Sequence, residues 1–223
     1  MGMLYIVATP IGNLKDLTLR AIETLKETDL MLAEDTRVAR KIMNRIGIQK
    51  PVWRADEYAA ESFYTKVGDF LREGKTAAFV SDAGTPGIAD PGSKLVDFLR
   101  TQYPEVNIVP IPGPSALTAL LSVSGIHANE FTFVGYPPHK KGRETFFKKL
   151  SEIQIRPIVC YESPHRLQKT FEGIRKIFGE DRQIIVGKEL TKIHEEVWRG
   201  TVRAAQKYFT GVKGKGEFTI IIE

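Results

Sequence analysis

Four short stretches of this chain place residues able to do chemistry directly after apolar runs: Ser81 to Pro91, Glu34 to Arg37, Tyr161 to Arg166 and Lys188 to Lys192. The first follows the apolar run Ala77 to Val80 and carries Asp82, Gly84, Thr85, Gly87 and Asp90, with Gly92 just beyond. Carboxylates, a hydroxyl and glycines in one turn hold backbone close to a polar small molecule. The carboxylates make it a poor phosphate cradle, because an anion beside Asp82 and Asp90 is repelled. A cationic, hydroxyl-rich ligand such as a sulfonium nucleoside suits it better. The same composition also serves a plain Gly/Pro connection.

The other stretches leave alternatives open. In Glu34-Asp35-Thr36-Arg37 the acids can position a hydroxyl, or they can cap a helix while Arg37 and Arg40 pair with them. In Tyr161-Glu162-Ser163-Pro164-His165-Arg166, Glu162 or His165 can accept a proton and Arg166 can attract phosphate. Lys188 can lower the pKa of a nearby hydroxyl or pair with the acids around Glu189. Two Pro/Gly turns, Thr9-Pro10-Ile11-Gly12-Asn13 and Ile111-Pro112-Gly113-Pro114-Ser115-Ala116, can present peptide groups to a ligand or simply turn the chain. Neither GxGxxG nor GxxxxGK[ST] occurs, so the usual dinucleotide and phosphate fingerprints are absent.

Positioning these residues requires strands that end where they begin. Leu4 to Thr9, Asp29 to Ala33, Ala77 to Val80 and Val106 to Ile111 read as strands. Between them, helical spacing runs over Thr18 to Lys26, up to Ile46 before Gly47, over Ala60 to Leu71 and over Ser93 to Arg100. Pro51 to Arg54 is ambiguous, with an edge strand as one reading. Beyond a boundary at Gly125 to Glu130, strands are expected at 131–134, 157–161, 183–186, 195–200 and 216–222, with helices at 144–150, 167–178 and 202–209. The pattern predicts an α/β protein of two lobes, each a mixed sheet with flanking helices. The lobes are expected at 1–112 and 113–223, joined through the 110–130 region, with loops at strand ends walling a cleft.

Composition narrows the class. No apolar run approaches the length of a membrane span, and the N-terminus lacks a basic leader, so a cytoplasmic protein is expected. The single cysteine, Cys160, excludes an internal disulfide, and the scattered histidines form no metal pattern with it. Residues 1–130 hold 14 Lys/Arg against 16 Asp/Glu, whereas 131–223 hold 18 against 11, and this asymmetry is compatible with a polyanion on the second half.

Taken together, the motifs resemble a known family. They are Ala8-Thr-Pro-Ile-Gly-Asn-Leu14, Ala33-Glu-Asp-Thr-Arg37, Val80-Ser-Asp-Ala-Gly-Thr-Pro86 with Asp90-Pro-Gly92, Ile111-Pro-Gly-Pro-Ser-Ala116, Phe133-Val-Gly-Tyr-Pro137, Tyr161-Glu-Ser-Pro-His-Arg166 and Gly187-Lys-Glu-Leu-Thr191. In this order they are similar to the ribosomal RNA small subunit methyltransferase I family, within the tetrapyrrole (corrin/porphyrin) methylase superfamily. The resemblance implies an S-adenosylmethionine-dependent enzyme that methylates the ribose 2'-hydroxyl of a cytidine in 16S rRNA, with the cofactor in the interlobe cleft and a homodimeric assembly. It places cofactor contacts at Pro10, Asp82, Ala83, Gly84, Ile88, Ser115, Ala116, Glu162 and Leu190. Proton removal is expected from Glu34, Glu162 or Lys188, and substrate contacts from Arg37, His165 and Arg166. Members of the family commonly continue past the strand matching Gly216 to Ile222 into a helical extension, whereas this sequence ends at Glu223. Either RNA binding is weakened, or the RNA is held by the second lobe and the partner subunit alone, which the excess of Lys and Arg after residue 130 favours. Methylation of a tetrapyrrole or other small molecule, and a cofactor-binding ribosome-assembly role without turnover, are the competing readings.

Overall fold

The computed structural model describes residues 2–223, and the chain divides into two compact units, Met1–Ser115 and Ala116–Glu223. In the first, strands and helices alternate as β1 (Met3–Val7), α1 (Leu19–Glu27), β2 (Leu30–Ala33), α2 (Thr36–Ile46), β3 (Val52–Arg54), α3 (Glu61–Arg72), β4 (Thr76–Val80), α4 (Gly92–Gln102) and β5 (Asn107–Ile111). Local chemistry sets the ends. The Thr18 hydroxyl accepts from Ala21 N and caps α1, while Gly47, at φ 70°, lets α2 stop.

The strand order is β3-β2-β4-β1-β5, and every pairing is parallel. This corrects the expected mixed sheet. A helix follows each of the first four strands and carries the chain back to the starting edge, which leaves no hairpin to reverse a strand. The steps β1 to β2 to β3 cross the sheet in one direction. The steps β3 to β4 to β5 cross it in the other. Right-handed crossovers therefore put α1 and α2 on one face and α3 and α4 on the opposite face. The two cores follow, one of Leu25, Met31, Ile42 and Val80, the other of Leu71, Phe79, Leu95 and Leu99. The loop after β4 thus leaves toward one face, while those after its neighbours β2 and β1 leave toward the other. Crevices open at such points.

The second unit contains α5 (Ala116–Ser124), β6 (Thr132–Phe133), α6 (Arg143–Glu152), β7 (Ile158–Glu162), α7 (Leu167–Phe178), β8 (Gln183–Lys188), β9 (Glu196–Thr201), α8 (Val202–Tyr208) and β10 (Phe218–Ile222). Its order is β6-β7-β10-β8-β9, parallel only between β6 and β7, so this sheet is mixed. Ile158, Cys160, Ile184, Val186 and Phe218 share one core with Phe147, Phe171 and Ala205 of α6, α7 and α8. By the two-residue alternation of a strand, Glu162 and Lys188 point to that same face. Both sit opposite Phe218, on the two strands flanking β10.

Packing of α6 against α7 depends on Gly173, where an added Cβ would lie 2.4 Å from the Phe147 ring. Gly173→Ala gains about 1 kcal/mol of helix propensity but overpacks the contact by about 1–3 kcal/mol. The expected outcome is a lower urea midpoint, and a midpoint at or above the parent's would show that Phe147 moves aside freely.

Candidate functional site

The loops after β1, β2, β4 and β5 meet at one end of the first sheet. Thr9 and Gly84 exchange backbone hydrogen bonds of 2.9 and 3.1 Å, and the Thr9 hydroxyl donates to Ser81 O at 3.1 Å. This bridge joins the β1 and β4 loops. The Thr85 hydroxyl donates to Pro114 O at 3.2 Å and ties in the turn after β5. Gly84 has φ 83°, a conformation that L side chains avoid, and an added Cβ would lie 3.4 Å from Ile11 Cγ2. Asp90 does not face a ligand with a bare carboxylate, because its Oδ1 accepts from Gly87 N at 2.7 Å and Gly92 N at 2.8 Å. Pro10 is buried within this cluster, whereas Ala83 and Ile88 are exposed on its loop.

On the β2 side of β4 lies a groove of about 460 Å³, lined by Glu34, Asp35, Arg37, Arg54, Asp56, Glu57, Tyr58 and Asp82. Here the two acids after β2 divide the roles the sequence left open. Asp35 caps α2 by accepting from Arg37 N at 2.8 Å and forms a 2.5 Å ion pair with the Arg37 side chain. Those hydrogen bonds from Arg37 hold its carboxyl down at about 2. Glu34 has no cation paired to it among the described residues. Its half-buried carboxyl is pushed up to about 7, first by desolvation and then by Asp82, Asp90, Glu57 and Asp56. Asp82, which accepts from Asp35 N at 3.1 Å, is also raised, again mainly by desolvation.

Among the described residues of the second unit, Glu162 and Lys188 are the two charged side chains in the buried class. Their surroundings are opposite. Glu162 pairs with Arg166 Nε at 2.8 Å and Arg143 Nη2 at 3.5 Å, accepts from Ser163 N at 2.8 Å and also bonds the Thr170 hydroxyl. The arginines pass the restraint on: Arg143 donates to Pro138 O at 2.8 Å and Arg166 to Pro137 O at 3.1 Å. Lys188 is 8% exposed, and its side chain makes neither hydrogen bond nor ion pair with any described residue. Lys192 takes the neighbouring acids instead, at 2.9 Å from Glu189 and 2.7 Å from Glu217. Leu190 is buried in a turn where Glu189 and Thr191 adopt φ of 49° and 67°. His165 is exposed.

The sequence singled out the Pro10, Gly84 and Asp82 loops, which lie at one edge, and Glu34, which lines the groove, but not Arg143 or the Asp56-Glu57-Tyr58 turn. Arg143 stands within a basic run that reads as a solvated surface, and only the fold carries it to Glu162. Asp56 to Tyr58 follow a three-residue edge strand too short to give a periodic signal.

The chain matches the family model described as Tetrapyrrole (Corrin/Porphyrin) Methylases over residues 3–206. It is 44% identical to Ribosomal RNA small subunit methyltransferase I of Thermotoga maritima, across all of this chain and 98% of that protein. Proteins of the same name from Synechocystis and Bacillus subtilis are 42% and 40% identical, again across all of this chain and over 79% and 75% of their own lengths. Among solved structures, cobalt precorrin-4 methyltransferase superposes with a TM-score of 0.75 over 99% of this chain and 94% of its own. Uroporphyrin-III-C-methyltransferase from Thermus thermophilus gives 0.70 with the same coverage. Both are 17% identical and speak to fold alone. No helix among the described residues is long and apolar enough to cross a membrane.

Proposed function

From the premise that this chain belongs to the tetrapyrrole (corrin/porphyrin) methylases, we propose that it transfers a methyl group from S-adenosylmethionine to the ribose 2'-hydroxyl of a cytidine in 16S rRNA. The observation that carries the chemistry is Glu34, a half-buried carboxyl without a cationic partner, poised at about 7 in a groove at the end of a parallel sheet. Near neutral pH such a group can both accept a proton and release it. The relatives at 40–44% identity favour an RNA acceptor over a tetrapyrrole.

The residues present fit the cofactor. The Asp82 carboxylate, which makes no ion pair, suits a molecule bearing a sulfonium and an ammonium, and Gly84 keeps the turn backbone bare of a side chain. Pro10, Asp82, Ala83, Gly84, Ile88 and Ser115 of the first unit would hold it. When bound, it supplies an electrophilic methyl group on positively charged sulfur. The protein's part is to fix the ribose hydroxyl and take its proton, which this reading assigns to Glu34. Arg37, His165 and Arg166 hold substrate phosphate. Both oxygens of Glu162 are occupied, so its part is to hold Arg166 and the Pro137–Pro138 backbone in place.

Lys188 has the opposite signature, a cationic side chain only 8% exposed that makes no ion pair with any described residue. It is assigned to stabilise the alkoxide character that develops on the ribose oxygen. Lys188→Met keeps the length of the buried stem and is expected to leave the thermal midpoint within about 2 °C of the parent's. Turnover should fall in the same variant. Full turnover would remove Lys188 from the reaction.

The enzyme is proposed to act in the cytoplasm, as a homodimer, on the small ribosomal subunit. The decisive experiment is methyl incorporation from labelled S-adenosylmethionine into unmodified 30S particles, with the modified sugar mapped. Cofactor binding without incorporation would leave the assembly role in its place, and incorporation into a tetrapyrrole alone would replace the RNA acceptor.

A further inference from the structure

The turn after β3 presents Tyr58 with 83% of its surface exposed, and it is tightly held. Asp56 Oδ1 accepts from Tyr58 N at 3.1 Å, Asp56 O accepts from Ala59 N at 3.1 Å, and Arg54 Nε pairs with Asp56 Oδ2 at 2.8 Å. An exposed ring alone needs no explanation. This one stands on an ordered turn and borders the same groove as Glu34.

The charge of that groove selects what can enter it. Arg37 and Arg54 are each paired, to Asp35 and Asp56, which leaves Glu34, Glu57 and Asp82 in the lining without ion pairs, with the Tyr58 hydroxyl directed at one of Glu57's acceptor sites. The carboxylates keep phosphate out at the rim, where the Arg37 side chain is 83% exposed, and welcome hydrogen-bond donors within. A cytosine presents an exocyclic amine where uracil presents a carbonyl oxygen, and carboxylates are the natural acceptors for that amine. Bases taken out of a stack are commonly received on aromatic rings.

Resting on the 2'-O-methylation reading above, we infer that Tyr58 stacks on the base of the target nucleotide and Glu57 accepts from its 4-amino group, so that the groove selects cytosine over uracil. The phosphates on either side of the nucleotide then lie outside the acidic lining. Glu34, in the same groove, is left to the ribose.

The test uses the full chain and 30S particles reconstituted with either cytidine or uridine at the mapped position. Because base–aromatic stacking is worth about 1–3 kcal/mol, Tyr58→Ala should raise KM for the particle by about 5- to 150-fold, while Tyr58→Phe stays within about twofold of the parent. Affinity for S-adenosylmethionine should be the same in all three. Glu57→Gln, which offers a donor as well as an acceptor, should bring the rates on cytidine and uridine toward parity. A parent-like KM in Tyr58→Ala, or unchanged discrimination in Glu57→Gln, overturns the inference while methylation by the parent stands. A parent enzyme inert on both particles refutes the methylation reading itself and takes this inference with it.

Discussion

Glu34→Gln is expected to lower kcat by about 10²–10⁴-fold, the usual contribution of a positioned general base, with little change in affinity for S-adenosylmethionine. The pH profile makes the prediction specific. Glu34 must be ionised to accept a proton, and its carboxyl is held up at about 7, so the parent's rate should rise about tenfold per pH unit below that value and level off above it. In the glutamine variant that limb should vanish. Full turnover by Glu34→Gln, or an ascending limb retained in it, would exclude Glu34 as the base.

The same group carries a cost to folding that the variant should reveal. Glu34 has a folded pKa of about 7 against an ordinary 4.5, so between those values the folded protein holds a proton the unfolded chain has released. Stability contributed by this group therefore falls as pH rises through that window and stays lowered above it. Glu34→Gln should melt higher than the parent at pH 8, and the difference should shrink as pH falls toward 4.5. Greater stability with less activity is the expected pairing at a site whose charge is tolerated for its chemistry.

Glu162→Ala is expected to destabilise the second unit by about 3–5 kcal/mol, because removing one member of a buried ionic cluster strands the others. Arg143 and Arg166, only 13% and 17% exposed, would lose their shared carboxylate, and Thr170 its acceptor. Denaturant unfolding measures this directly. Glu162→Gln should recover part of the loss, since an amide oxygen can still accept from Ser163 N. If Glu162→Ala instead retained parental stability and lost only turnover, the carboxylate would act on the reaction and not on the framework.

Much of the architecture could be read from the chain, for physical reasons that also mark where reading stops. Apolar runs of four to six residues, each closed by a Gly, Pro or acidic turn, announced nearly every strand, and Thr18 and Gly47 announced helix ends. Strand order was not legible, because nothing local in β1 says that it lies between β4 and β5. That is why the first sheet was expected to be mixed. At the site, Glu34 and Asp35 are adjacent carboxylates on paper. Only the start of α2 separates a cap held at about 2 from a free acid held at about 7. Likewise Lys188 and Lys192 differ little as sequence, and only the turn at Glu189 decides which one finds the acids.

The place of β1 bears on how this protein is made. Met3 aligns with Thr76 on one side and Asn107 on the other, so the strand synthesised first must wait for the last two strands of its sheet. Until Val80 has left the exit tunnel Leu4, Ile6 and Val7 have neither neighbour, and until Ile111 follows one side of the strand stays open, so the slow step should be closure of these distant contacts. In the other unit β8 and β9 pair as sequence neighbours, whereas β7 and β8 wait in the same way for β10 between them.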